Sequence, residues 1–294
     1  MLSLLGIAAV WGLSFPAMKA ALEYVTPFEL LAMRNLLGFL ALAVLWGPKL
    51  CKRANNRDAF IDAYTMLAGV VLGAALVAGL ALQVVGLQTT TSVKAGFISG
   101  LYVIFTPFVA IPVLDRQPSL AVILSAIAAT VGLFLLTVGD VKGISSVSLG
   151  DVLNVGAAVS FAVHVALTGK YAPRCDYKRL CLVEAFVKAL AFSPALLRLD
   201  LEIVLVSKVA VAVLVTGLGA TALGLAVQTW AQRRVSAPAT AVIFSSEPAF
   251  AGLFGLLLLG ESLSTRGLLG AGILLIAIVV AARHSSDDTL SAPA

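Results

Sequence analysis

The chain has 294 residues, 60% hydrophobic and 12% charged, with a net charge of +5 and a mean hydropathy of +1.04. Soluble domains carry about 25% charged residues, so this chain lacks the polar surface a solvated enzyme of its length needs. The same composition excludes a disordered or coiled-coil protein.

Apolar residues fall into blocks of about 20, the length that crosses a bilayer core. The pattern predicts an all-α, polytopic membrane protein of ten spans. The first five are Leu2–Ala21, Pro27–Trp46, Asp62–Val85, Ser92–Leu114 and Ser119–Val138. The second five are Gly150–Gly169, Arg179–Leu197, Val209–Trp230, Ala237–Gly260 and Thr265–Ala282. Met1–Ala21 lacks a basic start and a small-x-small cleavage site, so it reads as an uncleaved span. The longest connection falls near Gly47–Ile61, and a polar tail at 285–294 is expected to fray.

Basic residues set the orientation. With the N-terminus inside, twelve Lys and Arg fall in cytoplasmic loops, against four outside (Lys142, Arg198, Lys208, Arg266). The positive-inside rule then puts both termini in the cytoplasm, and the chain in the cytoplasmic (inner) membrane. This bias, rather than nucleic-acid binding, accounts for the positive charge. Cys51, Cys175 and Cys181 are odd in number and have no metal-ligand spacing, so they imply no disulfide framework or metal site.

Ionisable groups inside spans are costly, roughly 2.5–3.5 kcal/mol each on insertion scales, and tend to face the bundle interior. Lys19 and Glu29 flank the first hairpin at similar depth, where they can pair near the outer surface, although snorkelling ranks first for Lys19 alone. Arg34, about a third of the way into the second span, is too deep to snorkel easily. Lys94 opens the fourth span on the outer side, so that half of the bundle suits a substrate carboxylate. His164, in the sixth span, and Glu184, in the seventh, fall at similar depth near the cytoplasm. Lys188 shares a helical face with Glu184. A buried ion pair with a hydrogen-bonded His ranks first for these three residues, and a proton relay second.

Glu247, about ten residues into the ninth span, is the deepest carboxylate. Pro248 follows it, removes a backbone donor and predicts a kinked or opened helix there. A binding site ranks ahead of helix stapling for Glu247. Trp11, Tyr102, Gln228 and Trp230 are candidates to line a pocket, although Trp46 and Trp230 also suit the membrane interface. Gly69-x-x-x-Gly73 and Gly96-x-x-x-Gly100 are packing faces.

A shift of 146 lays Ala95 on Ala241, Ser99 on Ser245 and Asp115 on Glu261, and a shift of 150 lays Trp11-Gly12 on Phe161-Ala162. Two five-span halves, 1–145 and 146–284, must enter the membrane in opposite senses. That is an inverted 5+5 repeat, an architecture of secondary transporters.

Leu259-Gly260-Glu261-Ser262-Leu263-Ser264, followed by an apolar last span, resembles the second-half signature of EamA-type carriers of the drug/metabolite transporter superfamily. Ser236-Ala237-Pro238-Ala239, Pro248 and Trp11-Gly12 resemble the same pattern. The first half departs from it: Leu114-Asp115-Arg116-Gln117 lacks the Gly-Glu pair. The resemblance implies a ten-helix carrier that exports small metabolites, commonly amino acids or related compounds. Alternating access is expected, around a site enclosed by the first, third and fourth spans and their repeat mates.

Carriers of cationic drugs or of sugar or nucleotide conjugates stay open as alternatives, as does, at lower rank, a membrane-embedded lipid-modifying enzyme. The chain has no His-Glu-x-x-His, no Walker loop and no Gly-x-Ser-x-Gly, and Val138-Gly139-Asp140 lacks the first glycine of an aspartyl-protease motif. The expectation is therefore no enzyme, no cofactor and no metal. The expected partners are a small-molecule substrate and the lipid bilayer, with no nucleic acid, in a monomer or homodimer.

Overall fold

A computed structural model describes residues 2–54, 61–90, 92–115, 117–138, 148–250 and 265–284. No strand occurs among them. Apolar side chains face outward over the helices, including Val44, Phe108, Leu124, Phe134, Leu214 and Ile276. An apolar exterior around a packed interior is what lipid, not water, selects. Seven helices among the described residues are long and apolar enough to cross a membrane, and Leu120–Leu135 and Thr265–Ala281 are shorter apolar stretches. The protein is an all-helical membrane protein.

The helices are α1 (Leu2–Ala21), α2 (Pro27–Ala54), α3 (Ala63–Gly86), α4 (Ser92–Gly100), α5 (Tyr102–Leu114) and α6 (Leu120–Val138). They continue with α7 (Leu149–Tyr171), α8 (Tyr177–Phe192), α9 (Ser207–Leu214), α10 (Gly224–Ala231), α11 (Ala237–Phe244) and α12 (Thr265–His284). Asp62 starts α3 because its carboxylate accepts from the Thr65 N–H at 2.8 Å. Ser148 and Asp151 start α7 with a reciprocal capping box.

Four of the expected spans are not simple α-helices. The fourth is α4 and α5, separated by Leu101, whose N–H donates to Ile98 at 3.1 Å. The eighth is α9, a π-helical stretch from Val215 to Leu223, and α10. The ninth ends its first helix at Phe244, turns at Ser245–Ser246 and resumes helically over 247–250. Pro248 has no N–H for the Phe244 carbonyl, so the break falls ahead of the proline. The seventh span tightens into a 3₁₀ turn at Ser193–Arg198, and α2 runs on to Ala54, shortening the expected loop. The Leu259–Ser264 signature and the 139–147 connection lie outside the described residues.

Small residues let the helices close on one another. A Cβ on Gly69 would lie 2.5 Å from Val183 Cβ, and one on Gly73 would lie 2.7 Å from Val187 Cβ. The Gly69-x-x-x-Gly73 face therefore seats α3 against α8 and fixes the helix that carries Glu184 and Lys188.

Candidate functional site

The helices enclose a cavity of ≈ 120 Å³ lined from α1, α2, α3, α5, α7, α8, the π-helical stretch, α10, α11 and Glu247. It has room for several waters or a small organic molecule. The expected first, third and fourth spans and their mates contribute, but α2 and α8 also join, and they bring the cations.

Trp11, Phe15, Tyr102, Phe161 and Phe244 form much of the wall. The Trp11 and Phe244 rings sit 4.5 Å apart at 59°. Trp11 Nε1 donates to the Ala220 carbonyl at 3.1 Å. This ties α1 to the π-helical stretch, a helix form that concentrates at functional sites.

Arg34 is buried, with Nε and Nη2 each 3.4 Å from Thr221 Oγ1 and Nη1 3.1 Å from Met18 Sδ. Lys188 is 2% exposed and reaches the cavity from α8. Glu247 reaches it from just beyond the 245–246 turn, half-buried. None of these three has an oppositely charged side chain within ion-pair distance among the described residues. Unpaired charge away from water is costly.

His164 lines the same cavity, and its Nε2 lies 2.8 Å from Oε1 of the fully buried Glu184. With the carboxylate ionised, the hydrogen of that bond sits on Nε2. Thr168 donates its hydroxyl to the His164 carbonyl at 2.8 Å. The structure thus joins the two groups the sequence kept apart, since His164 and Lys188 share one cavity with Arg34 and Glu247.

Gln228 lines the cavity and donates to Gln232 at 3.0 Å. Lys94 belongs to α4, and its side chain lies outside the described residues. Trp230 does not line the cavity; it is 43% exposed, with Arg234 over its ring. Trp46 is buried edge-on against Tyr177. The expected Lys19–Glu29 pair does not form. Lys19 donates to the Leu87 and Thr90 carbonyls at 2.6 and 3.1 Å, and Glu29 accepts from the Thr26 N–H. The free carbonyls after α3 lie nearer to Lys19, and the Glu is consumed in capping its own helix.

Sequence reading missed Phe161, Gln83, Met18 and Thr221 as lining residues. Thr216-Gly217-Leu218-Gly219-Ala220-Thr221 was the available signal, small and hydroxylated residues inside an apolar span. Gln83 belongs to a buried network in which it donates to Ser99, and Ser99 donates to Asn154 at 3.0 Å.

An all-helical membrane bundle closed around a small charged cavity is the build of a carrier. Residues 1–138 and 148–283 match the EamA-like transporter family, and the chain belongs to that family. It is a membrane transporter. An uncharacterized transporter of Archaeoglobus fulgidus is 27% identical over 278 residues, covering 93% of this chain and 82% of that protein. A protein crystal structure superposes with a TM-score of 0.75 at 16% identity, covering 99% of this chain and 98% of that one. This likeness concerns the fold alone.

Proposed function

We propose that the protein exports small zwitterionic metabolites of the amino-acid class across the cytoplasmic membrane by alternating access. One observation carries this reading: Arg34, Lys188 and Glu247, none ion-paired among the described residues, share one cavity. An α-carboxylate answers the cations and an α-ammonium answers Glu247, so a zwitterion satisfies both in one pose. The side chain then packs on Trp11, Tyr102 and Phe161.

The inverted 5+5 repeat is part of the proposal. It is supported by the two helix breaks, at Leu101 and at Ser245–Ser246, which differ in position by about the 146-residue repeat. Family matches on either side of 139–147 support it too. Broken helices at a central site are what inverted-repeat carriers use to bind cargo. The twelve-to-four bias of basic residues supports cytoplasmic termini. Outward direction rests on the family resemblance, and a monomer or homodimer without cofactor is the assembly proposed.

Proteoliposomes loaded with labelled amino acids test the substrate class. Saturable efflux of zwitterions, absent for the matching amines and carboxylic acids, is expected. Efflux of cationic drugs or of sugar or nucleotide conjugates, with no amino-acid flux, would favour the alternative cargoes.

A further inference from the structure

Glu184 is one carboxylate between His164 and Lys188. It is fully buried; its Oε1 meets His164 Nε2, and its Oε2 has no hydrogen-bond partner. Lys188 lies one turn further along the same face, equally buried, yet outside ion-pair distance of Glu184 and turned to the cavity. A bare carboxylate oxygen and a bare ammonium four residues apart would ordinarily close on one another. His164 stands in the place of that partner.

We propose that His164 and Glu184 form a proton-operated switch that determines whether Lys188 is available to an anionic group of the cargo. This rests on the zwitterion reading of the cavity. With His164 neutral, Glu184 keeps its full charge and draws Lys188 onto Oε2. A proton from cavity water adds to Nδ1, which has no partner among the described residues, while the Nε2–H goes on donating to Oε1. The imidazolium then neutralises Glu184, and Lys188 is released to hold a carboxylate. The arrangement seen here, with Glu184 on His164 and Lys188 turned away, has the geometry of that second state. One N–H bond forms as the carboxylate binds, and the proton returns to water when it leaves.

Other titratable and charged groups also face His164. From α8 come Glu184, Lys188 and, one turn before them, Cys181. Tyr102 comes from α5, Arg34 from α2 and Glu247 from beyond α11. At this level α3 presents Leu76, Leu80 and Gln83, α10 presents Leu225 and Gln228, and α11 presents Phe244. Among the described side chains of α4, Ser99 is hydrogen-bonded to Asn154. Arg174, in the turn after α7, is ten residues and about 15 Å along the helix from His164.

Two measurements on the full chain in lipid nanodiscs test the switch separately from the cargo. The first is nitrogen NMR of ¹⁵N-histidine-labelled protein between pH 5 and 9; His284→Gln identifies the signal of His164, the one other histidine. The His164 ring signal is expected to differ between the two ends of this range; a signal unchanged throughout overturns the proposal whatever the cargo is.

The second is binding of L-alanine at pH 5.5 and 8.5. Wild type is expected to bind about tenfold more tightly at the lower pH, the weight of one charge-assisted hydrogen bond. Glu184→Gln should bind tightly at both values and His164→Gln weakly at both. Wild-type pH dependence retained in either variant contradicts the switch. If L-alanine binds at neither pH while the His164 signal changes across the range, the amino-acid reading fails and the switch stands.

Discussion

The two broken helices make an instructive pair. After α4 the chain turns at Leu101 (ψ −9°), and after α11 it turns at Ser245 (ψ −6°). Each turn is tightened by an N–H donating three residues back, Leu101 to Ile98 and Ser246 to Ile243. The backbone device is therefore the same. The side chains just beyond it differ: a shift of 146 sets Leu101 against Glu247 and Tyr102 against Pro248. The first break delivers an aromatic wall whose buried hydroxyl has no hydrogen-bond partner, and the second delivers a carboxylate. The same backbone device carries a carboxylate at one break only. Such asymmetry suits a cargo with unlike ends.

If that contrast is functional, substitutions at the two breaks will have unequal effects. The largest belongs to Glu247. Glu247→Gln is expected to lower the initial transport rate about tenfold while melting stays near wild type. Glu247→Leu is expected to lower it about a hundredfold, because it removes the acceptor as well as the charge. Equal rates for wild type and the leucine variant would reduce the second break to helix packing.

A smaller effect is expected from Pro248→Ala. It restores a donor for the Phe244 carbonyl and favours a continuous helix, which would swing Glu247 off the cavity. Transport should fall severalfold while thermal stability rises; a fall in both would mean that the turn does not depend on the proline. Tyr102→Phe tests the other break. Its hydroxyl has no partner to lose, so transport should change by no more than about twofold. A loss as large as that of Glu247→Gln would make the two breaks chemically equivalent and undo the comparison.

The smallest effect lies away from both breaks, at the cap of α3. The N–H and hydroxyl of Thr65 hold the Asp62 carboxyl below the usual carboxylate range. A lowered folded-state value means that the cap's contribution is present above the unfolded value, near 3.9. It is lost as pH falls through the folded value. Asp62→Ala should cost about 1 kcal/mol near neutral pH, and the difference from wild type should vanish in acid. Thermal melting across pH checks this, and a gap that persists at low pH contradicts it.

Much of the fold was legible because bilayer thickness sets span length. α1 begins and ends at the expected residues, and Asp62 is off by one only because it caps α3 rather than joining it. The π-helical stretch and the exact breaks were not legible, since they depend on which carbonyls neighbouring helices satisfy. Arg34 and Glu247 were readable from the cost of intramembrane charge alone. Their convergence with His164 and Lys188 was not, because hydropathy gives depth along a span but not the direction a face points. The Lys19–Glu29 expectation failed for a related reason: equal depth does not make a pair when backbone carbonyls lie nearer.

The central claim is that one cavity holds both ends of a zwitterion, and counterflow measures it most directly. Proteoliposomes loaded with unlabelled L-alanine should accumulate labelled L-alanine transiently, and wild type, Arg34→Gln and Glu247→Gln should be compared. The account predicts strong counterflow in wild type and at least a tenfold loss in each variant. Excess carboxylic acid without the amine should compete poorly, as should the amine without the carboxylate. Undiminished counterflow in both variants, or competition by either half-molecule as effective as by L-alanine itself, would contradict it.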